Sequence, residues 1–262
     1  MFSFTGGMHE TMAESAGRLK AAILRHVEAH RFSCEYQPLI RVSDGAIRGY
    51  EALSRFQLDG KSVPPSQVFS ALHEDRTLFF MVEARSKAFQ LQHRPEGVEL
   101  FVNLDPHVCA ESWQVDHWTR ALSGQPQLVV EVLERTTATN LESIMALVAS
   151  LGAAGARLAL DDVGGAKNLF SFDLLEQVNV IKLDGGWFKR LEDPAYEPLL
   201  AGLISFASQR GIETILEGVE TSEQLELAES LGVDMVQGFL FRDRFRTVEG
   251  PAPMLPDPPV AP

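Results

Sequence analysis

Cysteine is nearly absent from this chain of 262 residues, which has only Cys34 and Cys109. Two cysteines cannot build a disulfide framework, and neither stands beside His or Cys at zinc-site spacing. A reducing, cytoplasmic setting is the expectation. Long apolar runs are missing as well: none approaches the roughly 20 residues that a membrane-spanning helix needs. The opening residues also lack the basic start and apolar core of a secretory leader, so no membrane partner is expected. Positive charge is scarce, with 23 Lys and Arg against 36 Asp and Glu and a net charge of -13. That balance argues against a DNA or RNA polymer as partner, because such binding draws its affinity from Lys and Arg on phosphates. A small phosphorylated ligand stays open, since clustered carboxylates recruit divalent cations that reverse the local field.

What is present is an ordinary soluble composition, 45% hydrophobic and 23% charged, enough for a sizeable core. No linker-like stretch interrupts the interior. The sequence divides into an N-terminal helical segment (1–32), one large domain (33–248) and a Pro-rich tail (249–262) expected to be extended or disordered.

The stretch from Arg157 to Asn168, RLALDDVGGAKN, stands out. An apolar run ends in two adjacent carboxylates, Asp161 and Asp162, and breaks at Gly164 and Gly165. Neighbouring anions at the mouth of a core strand repel each other and resist desolvation, so a cation beside them is one reading. The other is that the second Asp caps the following helix.

Residues 10 to about 30 show mostly helical spacing. His26 and His30 lie one turn apart on that segment, but without the Glu directly after the first His that a zinc-protease helix requires; they read as a solvated face. Residues 32–53 read as a hairpin turning at Ser43-Asp44-Gly45, and 66–93 as helical. Then strands (98–104, 127–133, 157–162, 178–184, 213–219, 234–239) alternate with helices (107–122, 140–154, 167–176, 195–210, 222–231). Eight strands with helices between them imply mainly parallel pairing. The fold class expected is α/β, a modified (β/α)8 TIM-type barrel with an antiparallel first strand. An open doubly wound sheet is the runner-up, but the Gly-rich loop it would carry after its first strand is missing.

Nearly every strand ends in a polar residue that core packing would not choose: Glu51, Asn103, Glu131, Asp161 with Asp162, Lys182 with Asp184, Glu217 and Gln237. In a β/α barrel the C-terminal strand ends converge on one face, where catalytic groups sit. Singly, each has a structural reading: Asn103 could cap a helix, Glu131 could pair with an Arg, Lys182 could be a counter-ion. Together they place an oxygen-rich cluster around one cavity, suited to Mg²⁺ or Mn²⁺ rather than zinc. Beside such ions Lys182 could orient a nucleophile or stabilise an attacked phosphate.

Eight motifs in order, Tyr-Gln-Pro (36–38), Glu-Ala-Leu-Ser-Arg (51–55), Val-Asn-Leu (102–104), Glu-Val-Leu-Glu (131–134), Asp-Asp-Val-Gly (161–164), Lys-Leu-Asp (182–184), Glu-Gly-Val-Glu (217–220) and Gln-Gly-Phe (237–239), resemble the signature of EAL domains. The resemblance covers about residues 33–242. It implies a modified β/α barrel that binds cyclic di-GMP and, in active members, hydrolyses one phosphodiester to linear pGpG. By position, Glu51, Asn103, Glu131 and Asp161 match the ligands of one metal. Asp161 and Asp162 match those reaching a second, with Glu217 as ligand or holder of the water. Lys182, Glu217 and Glu134 match catalytic positions, and Gln37, Leu53, Arg55, Asp184 and Gln237 match positions that contact the ligand. Two Mg²⁺ or Mn²⁺ ions per site are implied, and family members commonly dimerise, so a homodimer is possible.

The loop after Asp162 departs from the family pattern. Where EAL domains read Phe-Gly-Thr-Gly-Tyr-Ser, this chain reads Val163-Gly-Gly-Ala-Lys-Asn168. In the family that loop helps hold the second metal, with the Glu at position 134 keeping it in place; here the residue before Glu134 is Leu133 rather than Thr. The altered loop keeps a second reading open, a non-hydrolysing cyclic di-GMP receptor. An unrelated divalent-metal barrel enzyme is a third, and Gly164 to Lys167 as a phosphate nest at a helix start lacks the spacing of a P-loop.

Overall fold

A computed structural model of the chain describes residues 12–133, 141–165 and 172–253. Helix α1 (Met12–Glu28) leads into β1 (Arg31–Arg41), β2 (Ile47–Leu58), β3 (Lys61–Val63), α2 (Pro65–Leu72) and α3 (Arg76–Gln92). The chain then alternates through β4 (Glu99–Leu104), α4 (Ser112–Leu122), β5 (Leu128–Leu133), α5 (Leu141–Ala153), β6 (Arg157–Val163), α6 (Phe172–Leu175), β7 (Val180–Leu183), α7 (Gly186–Arg190) and α8 (Glu197–Arg210). It ends in β8 (Glu213–Leu216), α9 (Ser222–Leu231), β9 (Met235–Val236) and β10 (Arg246–Pro251).

These elements form two compact units, one of Met1–Ser33, Ser54–Phe89 and Glu249–Pro262, the other of Cys34–Leu53 and Gln90–Val248. In the first, β3 pairs antiparallel with the end of β2, Phe56 opposite Val63. Ile23, Val27, Val68, Leu72, Phe79 and Val82 form its buried apolar face, and Phe56 and Phe79 both pack against the Phe69 ring.

The second unit is the barrel. Among the described residues, strands run in the order β1-β9-β8-β7-β6-β5-β4-β2, and β1 pairs with β2 to close the ring. Neighbours from β2 through β9 are parallel, whereas β1 is antiparallel to β9, with Ile40 opposite Val236. This is the barrel with an antiparallel first strand that the sequence predicts, and ring closure excludes the open sheet.

The barrel interior is layered, as side chains two apart on a strand share a face. A fully buried apolar layer is formed by Leu39, Phe101, Val129, Ala159, Val180, Ile215 and Met235. Two residues further along the parallel strands stand Asn103, Glu131, Asp161, Lys182, Glu217 and Gln237, and two residues back on the reversed β1 stands Gln37. Two residues the other way stand Glu99, Arg157 and Glu213, where the Arg157 guanidinium bridges both carboxylates. The apolar layer therefore separates an ion-paired floor from the polar residues at the strand ends.

Several local differences from the sequence reading have plain causes. Residues 66–93 form two helices rather than one, because the Asp75 carboxylate accepts the Leu78 amide at 3.0 Å and caps α3. Helix α7 is unforeseen; it starts where the Asp184 carboxylate accepts the Gly186 amide at 2.9 Å. Strands β7, β8 and β9 stop one to three residues before Asp184, Val219 and Phe239, so Glu217 and Gln237 stand just past their strands. Strand β10 reaches Pro251, inside the segment read as tail.

Candidate functional site

Lys182 is the centre of the site. Its side chain is 1% exposed, and the ammonium lies 2.8 Å from Glu131 Oε1, 2.8 Å from Asp161 Oδ1, 2.9 Å from Glu217 Oε1 and 3.6 Å from Glu51 Oε2. Four carboxylates, from β2, β5, β6 and the residue just past β8, thus share one cation. Burial alone would lower the Lys182 pKa, but Asp161, Glu131, Glu217 and Glu51 outweigh it and hold the ammonium charged well beyond its ordinary range.

The carboxylates respond differently to the same crowding. Burial pushes the Glu131 carboxyl well up, and the Glu51 charge adds to this against Lys182. Burial likewise raises Glu217, to about 8, with Asp161 and Glu51 adding to the shift while Lys182 opposes it. Glu51 is also buried, yet Lys182 and hydrogen bonds from Gln237 and Asn103 overcome that and hold it below the usual range. Asn103 Nδ2 donates to Glu51 Oε1 at 2.7 Å and Gln237 Nε2 to Glu51 Oε2 at 2.6 Å. Gln237 Nε2 also lies 3.3 Å from Gln37 Oε1.

Consecutive strand residues normally face opposite ways. Asp161 and Asp162 escape this because β6 breaks register against β7 between Leu160 and Val163, and Asp162 is left-handed at φ +56°. Asp is among the residues that tolerate that conformation. As a result Asp161, Asp162 and Glu217 each bring a carboxylate oxygen within 4.8 Å of one another. Among the described residues, the buried Glu131 Oε2 and Gln237 Oε1 have no hydrogen-bond partner. An all-oxygen donor set with excess negative charge and orphaned buried oxygens fits a hard divalent cation. These acidic groups could hold a metal.

In front of the cluster lies a cavity of about 370 Å³, whose walls include Gln37, Glu51, Glu217 and Gln237. Asp184 also lines it, although its Oδ1 is engaged by the Gly186 amide. Leu53 is half-buried on β2. Arg55 is half-buried and donates to the Ser54 carbonyl at 3.1 Å; it falls in the other unit. Glu134 lies outside the described residues, as do Ala166, Lys167 and Asn168.

The sequence reading missed several groups on this cavity. Gly185, Gly218 and Gly238 line it, and each follows a polar residue at a strand end. That repeated polar-Gly pair is a legible signal for close backbone packing. A Cβ on Gly238 would sit 2.0 Å from the Val219 carbonyl oxygen, and one on Gly185 3.2 Å from the Glu217 carbonyl oxygen. Phe239, 60% exposed, forms part of the same wall.

The EAL domain family model matches residues 20–243. The chain is 27% identical over 255 residues to Signaling protein YkoW of Bacillus subtilis, covering 92% of this chain and 31% of that protein. It is 26% identical over 230 residues to the Probable cyclic di-GMP phosphodiesterase PdeN of Escherichia coli, covering 83% of this chain and 44% of that one. The chain thus spans less than half the length of these relatives. The fold is similar to that of the FimX EAL domain from Pseudomonas aeruginosa bound to c-di-GMP, with a TM-score of 0.73 and 22% identity, covering 89% of this chain and 96% of that one.

Proposed function

The chain belongs to the EAL domain family, and on that basis we propose that it hydrolyses one phosphodiester bond of cyclic di-GMP to linear pGpG with two divalent cations, Mg²⁺ or Mn²⁺. The observation that carries the reading is the carboxylate ring around Lys182, with Asp161, Asp162 and Glu217 within ligand distance of one another.

Glu51, Asn103, Glu131 and Asp161 would hold one cation, and Asp161 and Asp162 with Glu217 the other. When bound, the pair supplies the positive charge that offsets the carboxylates, polarises the phosphodiester and makes water more acidic. The residues then divide the remaining work. Lys182 is held protonated by its four neighbours, so it acts as a hydrogen-bond donor that positions the attacking water or the phosphate oxygens, not as a base. A carboxylate must take the water proton, and Glu217 stands on the cavity wall for that role. The water oxygen bonds to phosphorus as the in-line bond from phosphorus to the ribose oxygen breaks, and that departing oxygen takes up a proton from solvent.

Gln37 and Gln237 line the cavity, and by family position they would contact the nucleotide there. Leu53, Arg55 and Asp184 are further ligand contacts by family position, and a guanidinium fork suits a phosphate. Glu134, outside the described residues, would by family position hold the loop after Asp162. We take the chain to work as a cytoplasmic protein able to form a homodimer; no described helix is long and apolar enough to cross a membrane.

The test is to incubate purified protein with cyclic di-GMP and Mg²⁺ or Mn²⁺ and to follow linear product by chromatography. Linear pGpG is the expected outcome. No turnover with either ion, together with measurable binding, would replace this reading by a receptor with an impaired Asp-Asp loop; no binding at all would point to an unrelated metal-dependent barrel.

A further inference from the structure

We infer that Trp187 is a positioning residue for Asp162: its indole pins the turn after the paired carboxylates and so holds Asp162 beside Asp161 and Glu217. The inference rests on the reading of Asp162 as a cation ligand.

Left-handed backbone at a non-glycine residue persists where the surroundings over-determine it. At Asp162, φ is +56°, and three hydrogen bonds close on the turn that follows. The Gly165 amide donates to the Asp162 carbonyl at 2.9 Å, and the Asp184 amide to the Val163 carbonyl at 3.2 Å. The same Val163 carbonyl accepts the Trp187 indole N–H at 2.9 Å. Two of these are backbone bonds any sequence could make. The third comes from a side chain placed by another element.

Gly164 has the matching shape. Its φ is +84°, and a Cβ there would lie 2.5 Å from Trp187 Nε1. The indole therefore rests directly on this backbone, and only glycine leaves it room. Trp187 is itself fixed: it is 5% exposed, the Arg190 guanidinium lies 5.4 Å from its ring, and its amide donates to the Asp184 carbonyl at 3.0 Å. A continuous path of contacts runs from Asp184 through α7 and Trp187 to the turn bearing Asp162. An aromatic needed only for packing would have no use for the indole N–H, so phenylalanine separates the two roles.

Groups that orient metal ligands typically change metal affinity by about 10–100-fold when removed. The test uses the full chain and counts bound Mn²⁺ from the free-ion electron paramagnetic resonance signal, with thermal melts to check folding. Trp187→Phe should weaken the second cation about tenfold and leave the first unchanged. Gly164→Ala, which displaces the indole from the other side, should give the same split. In metal-free protein, hydrogen exchange at the Gly165 and Asp184 amides should be faster in both variants.

Equal weakening of both cations would overturn the inference, as it would mean that Trp187 supports the barrel generally. So would wild-type affinities together with unchanged exchange. If the wild-type chain takes up only one cation, the two-cation reading fails; the clamp is then decided by exchange alone, faster at Gly165 and Asp184 if it exists and unchanged if it does not.

Discussion

Lys182 shows how one residue sets the terms for the others. A lysine only 1% exposed among four carboxylates is a resident cation for a site that would otherwise hold only negative charge. Removing one partner of a buried ionic cluster costs about 3–5 kcal/mol, because the charges left behind lose their compensation. Lys182→Met should therefore lower the stability of the metal-free protein by about that much, with Mg²⁺ restoring part of it and turnover lost. Melts with and without chelator check this, and a Lys182→Met protein as stable as wild type in chelator would contradict it. Glu51 is the complementary case, its two carboxylate oxygens held by Asn103 and Gln237. With Glu51 proposed as a direct cation ligand, Glu51→Ala should reduce turnover by more than about a hundredfold, since such a ligand matters more than the outer partners whose loss costs about 10–100-fold. Near-normal rates in that variant would show that the site is misplaced.

Among elements, the strands made the site legible and the connecting turns did not. Alternation with period two places Val129, Ala159 and Val180 inward, and thus Glu131, Asp161 and Lys182 inward beyond them. That pattern can be read from the letters. Asp162 breaks the alternation through a register shift and a positive φ, which depend on what packs against the turn. Helix α7 and the Trp187 contact were illegible for the same reason: five residues carry no periodic signal, and a hydrogen bond across 24 positions leaves none either. The polar-Gly pairs lie between these cases. At Gly238 the Val219 backbone leaves no space for a Cβ, so Gly238→Ala should destabilise the protein by about 1–3 kcal/mol through overpacking and weaken cyclic di-GMP binding by shifting Gln237. Denaturant unfolding and calorimetric titration check the two effects, and an unperturbed variant would mean that this close approach is easily relaxed.

At the scale of the whole barrel, the apolar layer separates two ionic regions of different character. The floor pairs Arg157 with Glu99 and Glu213. The mouth sets four carboxylates against Lys182, and it keeps Glu217 protonated to about pH 8. In the unfolded chain that glutamate titrates near the ordinary 4.5. Between those values the folded protein binds a proton that the unfolded chain has released, so this contribution to stability is complete below about 4.5 and fades as pH rises through about 8. Glu131 acts in the same direction, whereas Glu51 loses its contribution only on acidification below the ordinary glutamate range. Metal-free protein should thus melt at falling temperature from about pH 5 to about pH 8.5, and Mg²⁺ should offset the fall by replacing protons on the carboxylates. A melting temperature that rises across this range in chelator would contradict the assignment.

The central claim, that the cluster around Lys182 works through two cations, is tested most directly by the rate of cyclic di-GMP hydrolysis as free Mn²⁺ is varied at fixed protein. The expected result is no turnover in chelator and, well below saturation, a rate that grows with about the second power of Mn²⁺. Turnover that survives chelation, or a rate that stays first-order in Mn²⁺ across the whole range, would contradict it.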